Sequence, residues 1–88
     1  MTFRFNAPNA VDVAIGGSFS NWTLRPLKRR RDGIWSVTLR LAPGTYEYKF
    51  LIDDQWVTDP ENPRTAPNPF GGDNSVRIVP GPDDPGDA

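Results

Sequence analysis

Apolar and polar residues alternate along this chain in short runs, and glycine or proline closes nearly every run. In "YEYKFLID" (46–53), Tyr46, Tyr48, Phe50 and Ile52 hold one phase and Glu47, Lys49, Leu51 and Asp53 the other. Successive side chains of a strand point to opposite faces, so the first set turns to a core and the second outward. "AVDVAIGGSF" (10–19) places Val11, Val13 and Ile15 one way and Asp12 and Ala14 the other, until Gly16-Gly17 breaks the strand. "PLKRRRDGIWSVTLRL" (26–41) predicts a hairpin turning at Asp32-Gly33, with Trp35, Val37, Leu39 and Leu41 on the core face of its second arm. "TFRF" (2–5) predicts a short edge strand. Asp53-Asp54 turns into a short return, "QWVT" (55–58), and "NSVRIV" (74–79) is the last strand, with Val76 and Ile78 inward.

No stretch keeps a 3.6-residue apolar period for three turns. Short strands rich in Val, Ile, Phe, Tyr and Trp, punctuated by ten prolines and eight glycines, predict an all-β antiparallel sandwich. "DPENPRTAPNPFGGD" (59–73) reads as one long loop that four prolines keep stiff, and loops of that length are often functional. "PGPDDPGDA" (80–88) carries no large apolar residue and reads as a disordered acidic tail or linker, which leaves residues 1–79 as the folded domain.

Composition narrows the chemistry. The chain has 88 residues and no cysteine or histidine, which removes disulfides, the commonest zinc ligands and the usual general base. The net charge of −1 gives no reason to expect nucleic acid or an acidic membrane. The one basic run, "KRRR" (28–31), falls at the hairpin tip and reads as a solvated turn. No apolar run approaches a membrane span, and "MTFRFNAP" lacks the pattern of a signal peptide, so a cytoplasmic protein or a fragment of one is expected.

Two aromatics stand outside the core periodicity. Trp22 sits among small and polar residues in "GGSFSNWT" (16–23), and Trp56 follows Asp53-Asp54-Gln55 just past a turn. Either can fold back over the core edge. Two indoles beside turns, with an outward Lys49 between them, also suit a ligand with a flat apolar face and a polar rim. A pyranose is such a ligand: its axial C–H bonds meet the negative face of an indole, while its hydroxyls seek donors and acceptors such as Lys49 and Asn74. Stacked bases are the rival ligand, but they call for a basic groove along the backbone.

"GSFSNW" (17–22), "GTYEYKFLIDDQWVTDPENP" (44–63) and "DNSVRIV" (73–79), in that order and spacing, resemble the family 48 carbohydrate-binding modules. The nearest branch is the glycogen-binding domain of AMP-activated protein kinase β subunits, and the likeness covers roughly residues 9–79. The resemblance implies an early-set, immunoglobulin-like sandwich that binds α-1,4-glucans such as glycogen, starch and malto-oligosaccharides. It also implies that Trp22 and Trp56 form the sugar platform, that Lys49 contacts sugar hydroxyls, and that Asn74 opens the last strand beside the ligand. By strict alternation Asn74 shares the inward phase of Val76, so it serves the ligand only if the strand starts just after it. In "NPFGGD" (68–73) Phe70 supplies the apolar contact, while no threonine stands where the kinase-type loop has one.

Other motifs carry less. "NWT" (21–23) fits a glycosylation sequon but no signal peptide accompanies it. Asp53, Asp54, Asp59 and Glu61 invite a hydrolase or calcium reading, yet turn chemistry accounts for the first three. The expectation is therefore a monomeric, non-catalytic α-glucan-binding module with no cofactor, no metal and no nucleic-acid or membrane partner. Its rivals are a protein-interaction or scaffold module on the same fold, for which the outward Leu51 speaks, and the front domain of a larger glycogen- or starch-active parent enzyme.

Overall fold

The computed structural model describes residues 1–81, and nearly all of its regular structure is β. The strands are β1 (Thr2–Asn6), β2 (Val13–Gly17), β3 (Arg25–Pro26), β4 (Lys28–Arg29), β5 (Ile34–Thr38), β6 (Gly44–Ile52), β7 (Gln55–Val57), β8 (Thr65–Pro67) and β9 (Asp73–Val79). A 3-10 turn, Ser18–Ser20, follows β2. Two antiparallel sheets result. The smaller runs β1-β5-β4, and the larger runs β3-β2-β6-β9-β8 with β7 also paired to β6. Their inner faces meet through aromatic pairs: Phe3 stands edge-on to Tyr48 and Phe5 edge-on to Phe50, each with centroids 5.0 Å apart. This is the antiparallel sandwich that the alternation predicts, in the immunoglobulin-like form that the resemblance implies. The Tyr46 hydroxyl donates to the Ala42 carbonyl at 2.6 Å, a corner bond of the kind such sandwiches use to fix the entry to a central strand.

Val13, Ile15, Trp35, Tyr48 and Phe50 are buried in the core, and Val37, Leu39, Leu41 and Ile52 pack against it, as expected; Phe3 and Leu27 join the core as well, while Tyr46, expected there, is only half-buried. The hairpin turns at Asp32-Gly33, where Gly33 has φ +82 and the Asp32 carboxylate accepts from the Ile34 amide. Its first arm, however, divides between the sheets. Arg25–Pro26 pairs with β2, the chain crosses at buried Leu27, and Lys28–Arg29 pairs with β5. Residues 28–31 are all exposed, as a solvated tip requires.

Three expectations are corrected. Val11 is exposed, because β2 begins only at Val13; the amides of Val11 and Asp12 instead donate to the Asp53 carboxylate. The segment 59–73 is not one loop: Thr65–Pro67 pairs with β9. The phase of β9 is also inverted. Ser75 pairs with Tyr48 and Arg77 with Tyr46, so Ser75 and Arg77 face inward, while Asn74, Val76 and the exposed Ile78 take the outer face. The cause is a buried polar network that apolar periodicity cannot reveal. Ser75 Oγ accepts from the Asp59 amide at 2.8 Å, Tyr48 Oη donates to Asp59 Oδ2 at 2.7 Å, and Asn62 Nδ2 donates to Tyr48 Oη and to the Val76 carbonyl. A polar inward residue is stable here because each of these groups has a partner. Burial, with the Asp59 carboxylate alongside, pushes the Tyr48 phenol up to about 12. The expected acidic tail, residues 80–88, lies outside the described residues from 82 onward.

Candidate functional site

The outer face of the larger sheet is built by register. Lys49 on β6 pairs with Gly16 on β2, and Leu51 pairs with Ala14 on one side and Trp56 on the other. Directly paired residues share a face, so Trp56 stands on the same surface as Glu47, Lys49 and Leu51. The turn that delivers it has positive φ at both Asp53 (45°) and Asp54 (71°), the signature of a tight two-residue hairpin turn. Leu51 is on this outer face, as expected, and is half-buried there in the row between Ala14 and Trp56.

Trp22 arrives by a different device. After the 3-10 turn, Asn21 (φ 53) and Trp22 (φ 63) both adopt the left-handed conformation. That conformation is costly for a bulky side chain, on the order of 1–3 kcal/mol. It is held by the Trp22 amide donating to the Gly17 carbonyl at 2.8 Å and by Ser20 Oγ bridging the carbonyls of Gly17 and Thr23. The reversal brings the indole back over the sheet. Trp22 and Trp56 then lie with centroids 6.4 Å apart and planes at 71°, with 41% and 47% of their surfaces exposed. They do not cap the core edge.

Gly16 is the floor beneath both rings. A Cβ on it would stand 3.2 Å from Trp56 Cη2 and 3.4 Å from Trp22 Cε3. The absence of a side chain lets the indoles approach the backbone of β2.

Beside the indoles opens a groove of about 720 Å³ lined by Ser18, Trp22, Glu47, Lys49, Trp56, Asn68, Pro69, Phe70 and Asn74. All five residues expected at a sugar site, Trp22, Lys49, Trp56, Phe70 and Asn74, thus border one groove. Phe70 is 93% exposed at the tip of a loop closed by the Asn68 amide donating to the Gly72 carbonyl. Asn68 Oδ1 accepts from the amides of Phe70 and Gly72, and Asn68 Nδ2 donates to Asn74 Oδ1 at 3.2 Å. Asn74 reaches the groove from within β9, so the inverted phase, not a late strand start, puts it there. It is only 6% exposed, and its Nδ2 donates to Glu47 Oε1 at 3.2 Å.

Gly16, Ser18, Glu47 and Asn68 escaped the sequence reading. The doubled glycine before "SF" and the Asn-Pro-Phe-Gly-Gly turn were the available signals for Gly16 and Asn68. A slightly larger groove, about 760 Å³, borders β1 and β9, but its lining includes Arg4, Arg64, Arg77, Asp59 and Glu61. Its one ring, Phe3, is buried and lies beneath the Arg77 guanidinium at 5.7 Å, so it offers no open aromatic face to a sugar. Two of the four carboxylates considered for hydrolysis are engaged elsewhere: Asp53 takes the amides of Val11 and Asp12, and Asp59 takes the Tyr48 hydroxyl and the Glu61 amide.

Comparison with known proteins agrees with this architecture. The family model for the glycogen recognition site of AMP-activated protein kinase matches residues 1–83. Protein PTST homolog 2, chloroplastic, of Arabidopsis thaliana is 40% identical over 74 residues, which cover 82% of this chain and 14% of the plant protein. The 5'-AMP-activated protein kinase subunit beta-1 of Sus scrofa is 42% identical over 52 residues, covering 59% of this chain and 42% of that one. Among solved structures, the maltogenic amylase from S. marinus superposes with a TM-score of 0.77 at 25% identity, over 96% of this chain and 14% of the amylase. The chain therefore spans less than half the length of each of these proteins.

Proposed function

We propose that this chain, which belongs to the family of glycogen recognition sites of AMP-activated protein kinase, holds α-1,4-glucans in the groove beside Trp22 and Trp56 without cleaving them. The observation that carries this reading is the angle between the two indoles. Rings inclined at 71° form a corner and not a flat plate. An α-1,4-glucan coils, so successive glucose units turn relative to one another and can rest on two inclined faces. A β-1,4-glucan is extended and ribbon-like, and a corner meets only one of its units at a time. Lys49 then donates to hydroxyls on the sugar's edge, and Phe70 closes the groove from its loop.

Catalysis has little to work with at this surface. Glycoside hydrolysis takes two carboxylates facing each other across the bond, and among the described residues Glu47 is the one acid lining the groove. The contribution is retention on the polymer. In a longer protein, such as those whose length this chain spans only in part, the module would keep that protein's remaining domains at a glucan surface.

The surface is shallow and the ligand flexible, so ordering costs offset much of the attraction. The expected dissociation constant is on the order of 10 μM to 1 mM. The test is a titration of intrinsic tryptophan fluorescence with maltoheptaose, using cellohexaose as the control. A saturable change with maltoheptaose alone supports the reading. No change with either sugar, together with unshifted amide NMR signals, overturns it.

A further inference from the structure

We propose that Glu47 is a direct sugar ligand in this groove, paired in function with Lys49; the inference rests on the glucan-binding reading above. It starts from the state of Asn74. That amide is 6% exposed and engaged at both ends, with Oδ1 accepting from Asn68 and Nδ2 donating to Glu47. One N–H and one lone pair are left to it, inside a side chain that is almost wholly covered. The polar capacity open to the groove lies elsewhere.

Glu47 and Lys49 stand two residues apart on the outer face of β6, and both line the groove. Period-two spacing sets their Cβ atoms about 7 Å apart. Glu47 is fixed in place: its backbone amide donates to Ser18 Oγ at 3.1 Å, and Oε1 accepts from Asn74 at 3.2 Å. Among the described residues no side-chain hydrogen bond reaches Oε2, and no buried side-chain oxygen or nitrogen lacks a partner. Oε2 therefore faces solvent in the groove.

The two groups are complementary in kind. An ammonium only donates and a carboxylate only accepts, whereas each glucose hydroxyl does both. A vicinal pair of hydroxyls laid between them accepts a hydrogen bond from Lys49 at one oxygen and donates one to Glu47 from the other. Both bonds are charge-assisted, the stronger class. Asn74 and Asn68 then act as positioning residues: they hold the carboxylate and the Phe70 loop in one hydrogen-bonded frame.

The test uses Glu47→Gln, which keeps an acceptor for Asn74 and removes the charge. Maltoheptaose titrations of the unaltered chain, Glu47→Gln and Trp56→Ala are compared, with amide NMR spectra of each free protein. The expected result is a three- to tenfold weaker affinity in Glu47→Gln, about the gap between charge-assisted and neutral hydrogen bonds, with the signals of residues 74–76 unshifted before sugar is added. In the unaltered chain, the side-chain carboxyl carbon of Glu47 should shift on saturation with maltoheptaose. Unchanged affinity in Glu47→Gln, or a carboxyl signal that stays still while the indole signals move, overturns the role of Glu47 and leaves the glucan reading intact. Absence of any maltoheptaose binding to the unaltered chain removes that reading and this one together. The carboxyl signal decides the matter if the variant does not fold.

Discussion

The indole of Trp56 meets that of Trp22 nearly edge to face, 6.4 Å between centroids, over a glycine that gives both rings access to the sheet. Each ring arrives by its own turn. The corner therefore exists only while both turns hold, and each indole supplies a wall that the other cannot replace.

Truncating either wall should cost most of the affinity. Losing the burial of one large ring removes about 2 kcal/mol, or roughly thirtyfold in the dissociation constant. From a starting value near 0.1 mM, on the order expected for a shallow site, the dissociation constants of Trp22→Ala and Trp56→Ala should rise to about 3 mM. Maltoheptaose titration followed by amide NMR checks this, and circular dichroism should show an unchanged fold. Unchanged affinity in both variants would end the corner hypothesis.

Gly16→Val separates site geometry from stability. Valine favours a strand and removes the conformational freedom of glycine, so the melting temperature should hold or rise. Its Cβ would begin 3.2 Å from Trp56, and its methyls must push the rings aside. Affinity for maltoheptaose should fall by about 1 kcal/mol or more, the worth of a well-placed aromatic contact. Unchanged affinity would show that the spacing of the indoles is not critical.

Asp54→Gly addresses the turn before Trp56. Asp53 and Asp54 both have positive φ, and Asp-Gly is the preferred pair for such a turn. Asp53 must remain, since its carboxylate takes the amides of Val11 and Asp12. Glycine at 54 should stabilise the fold by about 0.5–1 kcal/mol, raising the melting temperature by several degrees. A lower melting temperature on calorimetry would contradict this account of the turn.

Tyr48 gives the fold an alkaline limit. Its phenol is pushed up from 10.0 to about 12, chiefly by burial. As pH climbs through 10 the unfolded chain releases this proton first, while the folded chain keeps it. The unfolded state then binds fewer protons, and stability falls between pH 10 and 12. Tyr48→Phe should lose that portion of the alkaline decline. At neutral pH it should be less stable by about 1–3 kcal/mol, because Asp59 Oδ2 loses its buried donor. Urea melts across pH 7–11.5 for both proteins test the pair of effects; parallel curves would refute the first.

Much of this fold was legible because apolar alternation and burial agree. Tyr48, Phe50, Trp35 and Ile15 lie where their phase puts them. The reading failed where a polar group was the inward one. Ser75 is fully buried because Asp59 needs it, and that single preference turned Asn74 and Val76 outward. At the candidate site, the two indoles outside the core phase, with Lys49 and Asn74, stood out from the residues themselves, and the resemblance to a known family gave them a common role and added Phe70. It did not point to Gly16, whose role is the room it leaves, nor to Glu47, whose neighbours come from distant parts of the chain. Contacts of that kind leave no local pattern.

The pairing of β6 has a mechanical consequence. One edge of this strand is bonded to β2; the other is bonded first to β9 and then to β7. In the complex proposed above the glucan is a long rope, and a pull on it would enter the module through Lys49 and the two indoles. Lys49 lies between the β9-paired and β7-paired stretches, so a pull along the strand loads ladders on both edges in shear and no single bond at a time. The proposed anchor point is therefore a strand held along both edges, and a tug on the polymer should slide the sugar off before it unravels the fold.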